Sequence, residues 1–290
     1  MTGRAPSTIP VVSVSELIDR YDAFLLDAYG VLVSGSGALP GASAFLRRLR
    51  DAGKPYLIVS NDASRSPGTA QARFAGMGLP IAEDRILTSG LLIADHYAAA
   101  KLAGAPTIVL GTEDSRDYVR GAGGVVVAAD DDSARVVVAA DDDGYPFLET
   151  INDVVSVLYR RLARGEETAL VLPNPDLVYP SRPGNFGITA GAIAGLIELC
   201  MRLRQPSGAA RFVPLGKPHT PMYEAAARRL GASIDRRRLV MIGDQLATDI
   251  LGANRFGIDS VLVETGVARA ADVSGCADEG RPTFTLPALG

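Results

Sequence analysis

The 290-residue chain predicts an α/β protein built on a parallel sheet covered on both faces, with a second domain inserted in its middle. Three observations carry that expectation. Short runs rich in β-branched residues alternate with segments of helical length, the runs are apolar nearly throughout instead of alternating, and several stop abruptly on a polar residue. In open sheets of this kind, ligands bind beyond the carboxyl ends of the strands. A polar residue that closes an apolar run is therefore the first place to look for chemistry.

In chain order the expected strands are Ala23 to Asp27, Tyr56 to Ser60, Thr107 to Leu110, Val125 to Ala128, Val136 to Ala140, Ala169 to Leu172, Leu239 to Ile242 and Ser260 to Val263. Amphipathic segments between them read as helices. Gly41 to Ala52 begins after Pro40, Thr69 to Gly78 follows Pro67, and Thr220 to Leu230 has Pro221 in its first turn and Gly231 as its stop. Residues 89–207 have a different texture, with two acidic repeats, VVVAADDD at Val125–Asp132 and Val136–Asp143, and strands and helices of their own. The expected organisation is a core of residues 1–88 and 208–290 with 89–207 as the inserted domain.

Bulk properties narrow the function. Apolar residues make up 47% and charged residues 21%, and the net charge of -4 leaves no basic footprint for nucleic acid. The first ten residues, MTGRAPSTIP, lack the continuous apolar stretch of a secretory signal, and the most apolar long stretch, Ile188 to Met201, carries Glu198 and two glycines and falls short of the roughly 20 residues that span a bilayer. A cytoplasmic protein with no membrane partner is expected. Cys200 and Cys276 stand 76 positions apart with no Cys/His cluster around them, which offers neither a disulfide framework nor a zinc site.

Four stretches then stand out together: Asp27-Ala-Tyr29-Gly30-Val31, Ser60-Asn61-Asp62, Gly216-Lys217-Pro218 and Gly243-Asp244 through Asp249. Each alone is weak, since an aspartate closing a strand is a common turn former and GKP is an ordinary loop. As an ordered set, every member falls at the carboxyl end of an expected strand or at a helix start. Asp27, Asp244 and Asp249 gathered at one edge would set three carboxylates against the single ammonium of Lys217, and packed carboxylates repel or protonate. A divalent cation relieves that repulsion, and an all-oxygen donor set suits Mg²⁺. Other candidate motifs fail. Gly35-Ser-Gly37-Ala-Leu-Pro-Gly41 has its last glycine one place late for a dinucleotide fingerprint, Gly216-Lys217 lacks the first glycine and the hydroxyl of a phosphate-binding P-loop, and the AADDD runs do not align with a calcium loop. The last are expected to be solvated turns.

With these four motifs in this order, the sequence resembles the haloacid dehalogenase (HAD) superfamily, and within it the class IIA phosphatases that include 4-nitrophenylphosphatases and sugar or nucleotide phosphatases. The resemblance runs from about residue 20 to 270 and extends to Thr88-Ser89-Gly90 and Asn174-Pro175-Asp176, which are similar to elements of that subgroup's cap. It implies a Rossmann-like, doubly wound core with a large α/β cap domain inserted between the second and third motifs. It implies further a Mg²⁺-dependent hydrolase of small phosphorylated metabolites that works through an aspartyl phosphate. Asp27 would be the nucleophile, and Ser60, Asn61 and Lys217 would bind phosphate. Asp27, Asp244 and the Tyr29 carbonyl would hold the metal, supported by Asp249, and Asn174 and Asp176 are cap residues for the substrate. Members often associate through the cap, so a homodimer is a further expectation.

Tyr29 departs from the pattern. Phosphatases of the superfamily carry an aspartate two residues after the nucleophile, which protonates the leaving alcohol and then activates water. Such general acid–base catalysis is worth roughly 10²- to 10⁴-fold, and a phenol, with an ordinary pKa of about 10, is a poor base at neutral pH. Three readings stay open: a weak or specialised phosphatase, a pseudoenzyme that binds a phosphorylated ligand or partner, and a 2-haloacid dehalogenase-type carbon–halogen hydrolase, whose first motif DAYG resembles. Both Asp244 and Asp249 make sense around a metal and little sense in a metal-free dehalogenase.

Overall fold

The computed structural model describes residues 9–182, 185–205, 211–231 and 234–290. Two compact units emerge: one comprises the chain up to Ser60, Ala70–Leu87 and Lys217–Gly290, and the other comprises Asn61–Thr69 and Thr88–Gly216.

The first unit is organised by a six-stranded sheet in the order Phe284–Leu286, Asp259–Val263, Leu239–Gly243, Ala23–Leu26, Tyr56–Ser60, Ile86–Thr88. Every neighbouring pair from Phe284–Leu286 to Tyr56–Ser60 is parallel. The apolar runs of the sequence explain the arrangement, because AFLL and LVMIG are buried along their whole length and only a sheet covered on both faces can bury them. Phe24 packs edge-on against Phe45 of the helix Ala42–Asp51, with ring centroids 6.2 Å apart. From the central strand Ala23–Leu26 the chain first builds outward to Tyr56–Ser60 and Ile86–Thr88; after the second unit it resumes on the other side with Leu239–Gly243. The order of strands reverses between Ala23–Leu26 and Leu239–Gly243. That is the topological switch point, where a doubly wound sheet opens a crevice at its carboxyl edge.

Among the elements absent from the sequence expectation are one helix and two strands that complete this unit. The helix Val14–Arg20 is closed at its start by a capping box between Ser13 and Glu16. Ile86–Thr88 and Phe284–Leu286, three residues each, form the two edges of the sheet. Among the helices, Thr220–Leu230 has the expected bounds, whereas Ala42–Asp51 and Pro67–Gly76 are shifted by one or two residues from expectation.

The second unit carries its own parallel sheet of five strands, in the order Val213–Pro214, Ala169–Leu172, Val136–Ala139, Pro106–Leu110, Val125–Val126. Its core sets Ile108, Val137 and Leu170 against Ile151, Val154 and Leu158 of the helix Phe147–Ala163 and Ile193 and Ile197 of Ala190–Arg202. An antiparallel hairpin, Val178–Arg182 with Asn185–Ile188, adds to it. The grouping differs from the expected division at Thr88, which falls in the second unit, and in two longer stretches. Val213–Pro214 pairs with Ala169–Leu172 and so brings residues 211–216 into this unit, while the expected junction at 207/208 lies outside the described residues. Asn61–Thr69 also joins it, because Ser115 Oγ, Thr112 Oγ1 and Tyr118 Oη donate to the carbonyls of Ala63, Ser64 and Arg65 at 2.8, 2.6 and 2.7 Å. No described helix is long and apolar enough to cross a membrane.

Candidate active site

Asp27 follows the last residue of the central strand, and Asp244 follows the last residue of its neighbour. The register pairs Leu26 with Ile242, and the Asp27 amide donates to the Ile242 carbonyl at 2.9 Å. Two aspartates 217 positions apart in sequence are thus placed side by side at the switch point. Asp249 arrives from the turn Leu246–Ile250, a single π-helical turn that opens the helix Leu251–Phe256. Such turns insert one residue into the helical register and recur at functional sites. Here the extra residue lets Asp249 fold back, so that its Oδ2 accepts from the amides of Asp244 and Gln245 at 3.2 and 3.1 Å. Carboxylate oxygens of Asp27, Asp244 and Asp249 lie within 4.8 Å of one another, and all three side chains are buried.

Lys217 closes the cluster. Its Nζ donates to Asp27 Oδ1 at 2.6 Å and to Asp249 Oδ1 at 2.8 Å, and the lysine is 3% exposed. Burial by itself would lower the lysine pKa, but the Asp249 and Asp27 carboxylates outweigh it and hold the ammonium charged. Burial is also the largest influence on Asp27, raising it above the ordinary carboxylate range against the pull of Lys217, with the Asp249 charge adding to the rise. Asp244 is raised likewise, by burial and then by the Asp27 and Asp249 charges. One ammonium is too little for three carboxylates. The strain is most visible at Asp244: its Oδ2 accepts from the Val267 amide at 2.7 Å, but its Oδ1 is buried with no hydrogen-bond partner among the described residues. An orphaned buried acceptor among three carboxylates is costly without a cation. The all-oxygen donor set fits a hard divalent ion such as Mg²⁺.

Glycines allow the chain to close this tightly. A Cβ on Gly30 (φ +75°) or on Gly266 would collide with the Asp244 carboxylate, and one on Gly243 would collide with Asp249. Thr265 Oγ1 ties the loop down by donating to the Gly30 carbonyl at 2.6 Å. Behind Asp249, the buried Tyr223 donates its hydroxyl to the Asp249 carbonyl at 3.0 Å and to that of Thr248 at 3.3 Å.

The other sequence candidates fall in two places. Ser60 ends the strand on the other side of Ala23–Leu26, at the same carboxyl edge. Asn61, Asn174 and Asp176 come together in the second unit, where Asn61 Nδ2 donates to Asp176 Oδ1 at 2.9 Å. Asn174 bridges its own turn, accepting from the Asp176 amide at 3.1 Å and donating to Thr189 Oγ1 at 3.2 Å. Tyr29 is 40% exposed, with the Arg73 guanidinium 5.4 Å from its ring centroid. Arg73, Tyr223, Gly266 and Val267 are absent from the sequence reading. Only the glycine in Thr265-Gly266-Val267 gave a signal, and a lone glycine after a strand marks most loops.

Comparison with known proteins decides the family. A haloacid dehalogenase-like hydrolase model matches residues 24–124 and a second, HAD-hydrolase-like model matches residues 214–290, while human chronophin is 33% identical over 269 residues, covering 89% of this chain and 86% of chronophin. The chain belongs to the HAD superfamily, class IIA. A 5'-nucleotidase of Bacillus subtilis is 27% identical, with 93% of this chain and 96% of the nucleotidase covered. Among solved structures, a possible sugar phosphatase of the HAD superfamily from Cytophaga hutchinsonii superposes with a TM-score of 0.83 at 31% identity, covering 97% and 98% of the two chains. The HAD core of this chain is the Rossmann-like sheet of the first unit, with the inserted α/β unit as the cap domain.

Proposed function

We propose that the protein is a Mg²⁺-dependent phosphoric monoester hydrolase that acts on a small phosphorylated metabolite through an aspartyl phosphate on Asp27. The observation that carries the reading is the buried Asp27 carboxylate, held by Lys217 at 2.6 Å within 4.8 Å of two further acids, one of which has an orphaned oxygen. The names of the relatives, phosphatases and a 5'-nucleotidase, support the same reaction class.

Asp27 and Asp244, with the Tyr29 carbonyl, would hold the metal, which supplies positive charge against the phosphoryl oxygens. The chain's own residues do the rest. Lys217, locked between Asp27 and Asp249, fixes the nucleophile and offers its charge to the phosphoryl group, with Ser60 and Asn61 as further donors. Attack by Asp27 forms a bond from carboxylate oxygen to phosphorus and breaks the bond from phosphorus to the ester oxygen, which leaves with its electron pair and takes a proton from solvent. Water then attacks the aspartyl phosphate at phosphorus, releasing inorganic phosphate and restoring the carboxylate.

Tyr29 stands where family members carry the acid that protonates the leaving group. Esters whose leaving groups are stable as anions therefore suit this site, and alkyl phosphates turn over slowly. The test is Mg²⁺-dependent phosphate release from 4-nitrophenyl phosphate: activity that Asp27→Asn lowers by about 10³-fold or more supports the reading. Metal-independent chloride release from 2-chloropropionate would replace it with carbon–halogen hydrolysis. The aromatic ring at position 29, stacked with Arg73, favours one second reading, a pseudoenzyme that holds a phosphorylated ligand without hydrolysing it. Its mark is thermal stabilisation by phosphate esters with no turnover across a broad panel.

A further inference from the structure

The edge of the first sheet opposite the acid cluster carries a cavity of about 490 Å³ whose polar lining includes Ser43, Arg47, Arg50, Lys54, Tyr56 and Arg85. Its walls are the face of the helix Ala42–Asp51 that carries Ser43, Leu46, Arg47 and Arg50, the turn that leads into strand Tyr56–Ser60, and the segment before strand Ile86–Thr88. These are the amino ends of two neighbouring strands. Tyr56 lies one strand length, about 13 Å at 3.3 Å per residue, from Ser60 at the carboxyl edge.

Four of the lining residues are cations and none is an acid. Carboxylates at the rim answer only two of them: Asp51 pairs with Arg50 at 3.2 Å, both largely exposed, and Asp22 pairs with Lys54 at 3.4 Å. Arg47 donates to Ser43 Oγ at 2.9 Å, and Arg85 sits 5.8 Å from the Tyr56 ring centroid with a 3.5 Å contact to the Tyr56 carbonyl; neither has a carboxylate partner among the described residues. Two guanidiniums without a carboxylate partner in one concavity can receive an anion without first breaking an ion pair. Guanidinium forks match phosphate oxygens in pairs, and the volume falls within the roughly 300–1,000 Å³ of small-molecule sites. A singly charged ligand would answer only one of these two guanidiniums, whereas a chain of phosphates can reach both and also Arg50, whose partner Asp51 is largely exposed. We propose that this cavity is a second binding site, separate from the hydrolytic centre, for a small anion bearing two or more linked phosphates, whether an inorganic polyphosphate or the phosphate tail of a nucleotide.

The experiment is calorimetric titration of the full-length protein with inorganic tripolyphosphate in metal-free buffer, for wild type, Arg47→Gln/Arg50→Gln and Arg47→Glu/Arg50→Glu. Both side chains are exposed on the helix, so the fold survives their replacement, and an unfolding midpoint measured without anion verifies this. The expected result is binding at least tenfold weaker in the Gln variant and weaker again in the Glu variant, with hydrolysis of 4-nitrophenyl phosphate unchanged. A parallel titration with ATP separates the two sources, since tighter binding of ATP points to contacts beyond the phosphate chain and equal binding to the chain alone. Tripolyphosphate affinity identical in all three proteins overturns the proposal, as does affinity lost on Lys217→Ala instead, which places the anion at the carboxyl edge. If the arginines serve only the carbonyl end of their helix, the variants lower the unfolding midpoint and leave the affinity untouched, and the proposal fails in that case too.

Discussion

Two sets of acids close buried strands in this molecule, and they have opposite fates. Asp27 and Asp244 follow AFLL and LVMIG, and Asp141 to Asp143 follow VVVA at one residue's distance; all three strands are buried throughout. In the first unit the acids interlock around Lys217 with distances of 2.6 and 2.8 Å and an orphaned oxygen. In the second unit Asp141 and Asp142 are half-buried and Asp143 is exposed, and no ion pair joins them to a lysine among the described residues. The pKa of Asp141 is nevertheless pushed up to about 7, by burial first and by the Asp142 charge second. The expectation of a solvated turn thus holds for Asp143 and is corrected at Asp141 and Asp142, which are half-buried. A strand-terminal carboxylate is a necessary feature of such a site and an insufficient one. What distinguishes the first set is a cation from a distant part of the chain and a third acid folded back by a π turn.

Removing the cation should break the comparison most visibly. Lys217→Met leaves Asp27 and Asp249 buried without their partner, and loss of one member of a buried pair costs about 3–5 kcal/mol. Denaturant unfolding in EDTA at neutral pH should therefore show a fall of that order, the largest of any single substitution considered, and an unchanged midpoint would mean that the acids do not depend on the lysine. Next in size is Gly30→Ala. A side chain there is strained at φ +75° and meets the Asp244 carboxylate; strain and overpacking together cost about 2–4 kcal/mol. The same substitution at Gly78, at nearly the same φ of +78° but with open space around it, should cost only the backbone share, so the difference between the two melting midpoints isolates the contact with Asp244.

The parts of this site that were legible in the sequence are those that local chemistry dictates. Long apolar runs read as buried strands, a polar residue at their ends falls at a sheet edge, and Asp27 and Asp244 follow; Lys217, in a loop before a helix, was legible only through the resemblance of the ordered motifs. The illegible parts depend on contacts made only after folding. Phe284–Leu286 has three residues and no periodicity; it is a strand because Val263 lies alongside Leu286 and the Val12 and Thr285 amides donate to the Thr285 and Pro10 carbonyls. Arg73 reaches Tyr29 from a helix 44 positions downstream, and nothing in RFAGMGL announces it. Asn61 and Asp176, read separately as a phosphate ligand and a cap residue, prove to be hydrogen-bonded to one another at 2.9 Å, a pairing that spacing alone cannot reveal.

Tyr29→Asp sharpens the comparison by adding an acid where the first unit lacks one. If the absent proton donor limits turnover, hydrolysis of alkyl phosphates should rise by about 10- to 10²-fold, within the range of general acid catalysis, while hydrolysis of 4-nitrophenyl phosphate changes little. Equal changes for both esters would show that the ring acts by shape and not by withholding a proton. Arg73 also loses its aromatic partner in this variant, and Tyr29→Phe, which keeps the ring, separates the two effects.

The smallest effect lies in the second unit and tests its half of the contrast. Because the native pKa of Asp141 is raised to about 7 from an ordinary value near 4, the folded protein binds more protons than the unfolded chain between those values. Stability contributed by this group is therefore intact below about pH 4, falls as pH rises through that window, and is fully lost above about pH 7. Asp141→Asn removes the charge and should stabilise the protein at pH 8 by on the order of 1 kcal/mol, after allowance for its partial exposure, while leaving stability at pH 4 unchanged. Melting curves at the two pH values decide the point. A gain that is equal at both would assign the effect to hydrogen bonding by the amide, and the acids of the second unit would then have no electrostatic cost to set against those held by Lys217.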